Sequence, residues 1–191
     1  MNDLNLNCND CPAFSIFTEE IANRIQYNYS LLQEQILKIE KIRLFILHSY
    51  IGYHYFYDLS DRDENWLLNS LKNELLKDST DSEFLIYLQQ NGILFVNAAF
   101  CRLTELYLLL PRKLDKLKKR AIIICFKRHV IDFLKLYPHV PIITLFEPSN
   151  ISMKENFNDI YKRIAGKVLF QEDLSLPGLK SLVNFLLTNK S

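Results

Sequence analysis

An amide at the end of an apolar run is the first residue in this chain that suggests chemistry. Ile93, Leu94, Phe95 and Val96 follow the turn signal Asn91-Gly92 and stop at Asn97. A side chain that both donates and accepts, at the carboxyl end of a buried strand, stands where α/β folds place their ligands. The same Asn also suits capping of the next turn, and both readings stay open. A second cluster is aromatic. The stretch 48–58 holds Tyr50, Tyr53, Tyr55, Phe56 and Tyr57, with His48 and His54, around the single Gly52. Rings in such a loop either wall a pocket that stacks on a flat ligand or pack under the next helix. The spacing of the two His matches no metal-ligand signature. A third cluster is Glu147-Pro148-Ser149-Asn150-Ile151, a rigid loop after another apolar run.

Cations and thiols form the remaining candidates. The run 112–120 carries six cations, Arg112, Lys113, Lys116, Lys118, Lys119 and Arg120, against Asp115 alone, and Lys127 and Arg128 follow. Such a run is either a solvated helix face or a set of phosphate contacts. The four cysteines are Cys8, Cys11, Cys101 and Cys125. Cys8 and Cys11 have the two-residue spacing that lets two thiolates hold one metal or one cluster edge. Cys101 and Cys125 lie in or beside apolar stretches, where a thiol also serves as a small buried hydrophobe.

Composition sets the frame that must position these groups. The chain has 191 residues, 49% of them hydrophobic, with 4 Gly and 6 Pro. That is enough apolar material for one domain with a real core, and it excludes a disordered chain. A formal charge of +1 implies nothing about partners, so only local clusters can. No apolar run is long enough to span a bilayer. The start, MNDLNLNCND, lacks a basic region followed by an apolar one. A cytosolic protein with reduced thiols is therefore expected.

Periodicity then predicts the elements. Residues 1–14 read as loop or N-terminal extension. Three- and four-residue apolar steps predict a helix over 15–40, with apolar runs over 42–47 and 93–96 as strands. Two helices are expected between them: 61–77, with Trp66, Leu67, Leu71 and Leu75 on one side, and 83–90, capped by Ser82. Further along, helices are expected over 103–110, 130–136, 153–165 and 176–187. Strands are expected over 121–125, 141–146 and, more briefly, 168–170. Alternation of this kind predicts an α/β fold, a three-layer α/β/α sandwich around a central, mostly parallel sheet of four to five strands. The whole chain, 1–191, reads as one such domain. Parallel strands put their carboxyl ends on one side, so the loops 48–58, 97–102 and 147–152 should meet at one crevice.

These loops resemble those of the uracil-DNA glycosylase superfamily. GILFVN, ending at Asn97, is similar to that family's GVLLLN strand, whose Asn binds the uracil edge. Glu147-Pro148-Ser149-Asn150 stands where the family has an HPSP-like loop, and Ile151 lies where its wedge residue would lie. The catalytic loop reads GQDPYH in the common form of the family. Here Tyr50 falls at the position of its Asp, and Glu147 falls at the position of the His. The iron–sulfur branch adds a further echo. Its CxxCP resembles Cys8-Asn9-Asp10-Cys11-Pro12, and its Cys-Arg resembles Cys101-Arg102.

The resemblance implies a DNA-repair glycosylase that extrudes an altered base from single- or double-stranded DNA and hydrolyses its N-glycosidic bond. Asn97 would read the base edge, and Tyr50, Tyr53, Tyr55 or Phe56 would stack on it. Pro148, Ser149, Asn150 and Ile151 would form the loop and wedge that enter the duplex. The eight cations named above would supply phosphate contacts. Glu147, by position, is the first choice to activate water, with Asp58 and His48 as the other groups at hand. No cofactor is needed for this chemistry, while Cys8, Cys11, Cys101 and Cys125 would be the ligands if an iron–sulfur cluster were kept. The alternative is a glycosylase-like fold without hydrolysis that binds nucleic acid, a nucleotide or a protein partner. A generic nucleotide-binding α/β protein is a weaker reading, since neither GxGxxG nor GxxxxGK[ST] occurs.

Overall fold

The computed structural model describes residues 19–48, 55–60, 65–97, 134–146 and 168–189. Helix α1, Glu19–Lys38, leads into strand β1, Leu44–His48. Helices α2, Trp66–Leu75, and α3, Asp81–Gln90, follow, and α3 delivers the chain to β2, Ile93–Asn97. Strands β3, Ile142–Phe146, and β4, Val168–Asp173, come next, and helix α4, Leu176–Thr188, closes the described chain.

The strands form one parallel sheet in the order β2-β1-β3-β4. All five residues of β1 are buried, as expected of a central parallel strand. The α/β class expected from alternation is thus present. The expected strand at 121–125 and helices at 103–110 and 153–165 lie outside the described residues. Register fixes which residues share a face. Ile46 pairs Phe95 on one side and Ile143 on the other, and Ile143 pairs Phe170. Phe185 of α4 meets Phe170 at 4.8 Å between ring centroids, so α4 covers that face. The opposite face carries Phe45, whose ring meets Tyr137 edge-on at 5.6 Å.

Several boundaries differ from expectation, each for a local reason. Helix α3 starts at Asp81 because Thr80, not Ser82, is its cap. The Thr80 hydroxyl accepts from the Glu83 N–H, and the Glu83 carboxylate accepts from the Thr80 N–H at 2.7 Å, a reciprocal box. Helix α2 starts at Trp66, since Asn65 has left the helical region and its Oδ1 accepts from the Leu68 N–H. Its buried side is Leu67, Leu68, Leu71 and Leu75; Trp66 is exposed instead. Lys72 and Asp81 form an ion pair that ties α2 to α3. Strand β4 runs to Asp173 rather than Phe170, continuing through Gln171 and Glu172 in pairing with β3. Asp173 then accepts from the N–H and hydroxyl of Ser175, the cap of α4. The first turn of α4 lies so close to β4 that a Cβ at Gly178 would run into the Asp173 carbonyl oxygen. Gly92, at φ 66°, makes the turn into β2 where a Cβ would meet the Lys41 carbonyl.

Candidate functional site

The carboxyl ends of the four strands make one row. Asn97 of β2 pairs His48 of β1, His48 pairs Leu145 of β3, and Leu145 pairs Glu172 of β4. From β1 the chain goes first to β2 on one side and later to β3 on the other. The sheet therefore has its topological switch point between β1 and β3, the place at which open α/β sheets bind their ligands. The stretches that begin beyond His48, Asn97 and Phe146 start from neighbouring strands at this end.

Sequence-named residues fall into two groups here. Asn97 holds the last position of β2, in register with His48. His48 is 2% exposed, with its ring edge-on to Phe95 at 6.4 Å. Tyr55 and Phe56 are equally buried, and their rings are part of the core. Phe56 stacks on Phe95 at 3.9 Å and 9°. Tyr55 meets Tyr57 edge-on. Of the two readings of the aromatic stretch, these two rings follow the packing one. Tyr50, Tyr53, Glu147, Pro148, Ser149, Asn150 and Ile151 lie outside the described residues. So do Arg112, Lys113, Lys116, Lys118, Lys119, Arg120, Lys127 and Arg128, and all four cysteines. Among the described residues, no group of three or more His, Cys, Asp or Glu is arranged to hold a metal.

Residues 55–60 are held by polar groups that the periodic pattern did not reveal. Asn65 Nδ2 donates to the carbonyls of Tyr55 at 3.2 Å and Phe56 at 3.0 Å, while its Oδ1 caps α2. Asp58 accepts from the Ser60 N–H at 3.1 Å and hydroxyl at 2.6 Å, closing the turn. The Tyr57 hydroxyl accepts from the Phe95 N–H at 2.8 Å, on the side of β2 away from β1. Burial holds the Tyr55 and Tyr57 phenols well above their ordinary value of 10.0, and the Phe95 N–H offsets part of this for Tyr57. Both stay neutral at any physiological pH. Two further polar contacts lie elsewhere: Glu172 accepts from the Ser181 hydroxyl at 2.9 Å, and Gln35 is buried beside Gln89. Single polar residues at apolar spacing carry no periodic signal, so only an Asn just before a helix, as at Asn65, could have been singled out.

Two cavities are open among these elements. One, of about 540 Å³, lies between α1 and α3 beside residues 57–60. Another, of about 300 Å³, lies at the amino ends of the strands, among Arg43, Leu44, Ile93, Pro141 and Phe185. Neither is lined by His48 or Asn97. No described helix is long and apolar enough to cross a membrane. Comparison with protein-family models, with curated proteins and with solved structures returns no match.

Proposed function

We propose that this chain is a base-recognising domain of the uracil-DNA glycosylase kind, with its crevice outside the carboxyl ends of β1, β2 and β3. One observation carries the reading: Asn97 stands in register with His48 at the carboxyl end of β1, the strand that borders the switch point of a parallel sheet. Helix α4 over one face and Tyr137 against the other also favour the three-layer sandwich that such a domain would have. In this reading an altered base, extruded from DNA, offers its edge to Asn97. The stretch after His48 supplies a ring to stack on it, and the stretch after Phe146 supplies Glu147 and the Ile151 wedge. Hydrolysis adds water to the sugar carbon and releases the base, whose negative charge must be stabilised as it leaves.

A second reading, binding without hydrolysis, is favoured by the carboxylates. Asp58, Glu172 and Asp173 each accept a hydrogen bond from a nearby serine, Ser60, Ser181 and Ser175 respectively. Carboxylates tied to the backbone and to neighbouring hydroxyls are fold-holding groups, less suited to removing a proton from water. The test uses the full chain with single- and double-stranded oligonucleotides carrying uracil or hypoxanthine. Release of free base, abolished in Asn97→Ala, is the expected result. Retention of the oligonucleotide without release supports the binding reading. Neither binding nor release at micromolar protein overturns both.

A further inference from the structure

The groove between α1 and α3 contains an amide pair whose hydrogen-bonding capacity the fold leaves partly unused. Gln89 Nε2 donates to Gln35 Oε1 at 2.7 Å. Among the described residues this is the only hydrogen bond either carboxamide makes. Gln35 is only 5% exposed, yet both side chains line the cavity of about 540 Å³. A carboxamide has two N–H donors and a carbonyl that accepts twice. The bond between the two therefore leaves the amide nitrogen of Gln35 and the carbonyl oxygen of Gln89 unused. Turning both amides over exchanges the roles and still leaves a free amide nitrogen on one residue and a free carbonyl on the other. Both groups are reached from the groove, so a ligand seated there can take a hydrogen bond from one and give a hydrogen bond to the other.

We propose that this groove binds a flat heterocycle with a lactam edge, a ring carbonyl beside a ring N–H, as in uracil or hypoxanthine nucleosides. The ring carbonyl would accept from Gln35 while the ring N–H donates to Gln89. Leu31, Leu85 and Ile86 form apolar walls for the ring faces, and Tyr57 contributes at one end. A trans peptide carries its N–H and C=O on opposite sides, so it cannot meet both amides with one edge. The volume is of the size that holds a nucleoside. The site stands apart from the strand-end crevice, since none of its lining residues belongs to β1, β2 or β3. It is independent of the function proposed above.

Calorimetric titration of the full chain with uridine and with N3-methyluridine tests this without any substitution. Uridine should bind, and methylation of the ring N–H should weaken binding at least tenfold. Gln35→Leu and Gln89→Leu should each weaken uridine at least tenfold, with circular dichroism unchanged. Because Gln35 is buried, Ile86→Trp at a rim position that is 49% exposed provides a second variant, and it should block the groove. Equal affinity for the two nucleosides, or no heat at millimolar uridine, overturns the proposal. So does unchanged uridine affinity in both glutamine variants.

Discussion

Tyr55 and Tyr57 are two residues apart, equally buried, and differ in one hydrogen bond. The Tyr57 hydroxyl satisfies the Phe95 N–H, while the Tyr55 hydroxyl has no hydrogen-bond partner among the described residues. Tyr57→Phe keeps the ring but strands a backbone donor, which should cost about 1–3 kcal/mol. Tyr55→Phe removes a buried hydroxyl that makes no bond and should be neutral or stabilising. Urea midpoints of the two variants decide it; the reverse order would mean that the Phe95 contact is incidental. Asn65 offers a similar dissection. Asn65→Asp keeps the acceptor that caps α2 but removes the donors to Tyr55 and Phe56 and leaves a buried carboxylate facing their carbonyl oxygens. Asn65→Ala removes both functions, at roughly 1 kcal/mol for the cap alone. Asn65→Asp should be the more damaging of the two. If it were the milder, Asn65 would be only a cap.

At the scale of elements, α3 is the one whose start responds to pH. Hydrogen bonds from the Thr80 backbone N–H and then its hydroxyl hold the Glu83 carboxyl below its ordinary 4.5. A carboxyl depressed in the folded state contributes stability in full above its unfolded value. That contribution is lost as the pH falls through the lower, folded value. Glu83→Gln can keep the box while removing the titration. Melting curves from pH 7 downward should show the wild type ahead at neutral pH and the gap narrowing below about 4.5. A constant gap across that range would assign the effect to something other than ionisation. The same box explains the early start of α3. Thr80 and Glu83 are three residues apart, the spacing of the box, and Ser82 offered a competing cap two residues too late. Helix and strand identities were legible for α1, β1, α2, α3, β2, β3 and α4, because their apolar spacings are regular. Strand β4 was legible only in its first half. Gln171, Glu172 and Asp173 are polar, and pairing with β3 extends the strand through them regardless.

For the whole molecule, the core itself sets a response to alkali. Tyr55 and Tyr57 are 2 of 10 tyrosines, and burial raises both phenols well above 10.0. A group whose folded value is raised contributes stability in full below its unfolded value and loses it as the pH climbs above. Absorbance at the phenolate band should rise in steps on titration with base, with at least these two silent until the chain unfolds. Smooth ionisation of every tyrosine near 10 in a still-folded protein would contradict their burial.

Apolar periodicity by itself determined that this chain is an α/β protein, since strands of unbroken Ile, Leu, Phe and Val between amphipathic helices bury both faces only in a parallel sheet. It also determined that Asn97 ends such a strand. Strand order, register and the switch point between β1 and β3 came only with the tertiary structure. So did the enclosure of Tyr55 and Phe56 and the pairing of Gln35 with Gln89. Each of those depends on which distant segments touch, and local residue spacing holds no record of contacts between residues dozens of positions apart.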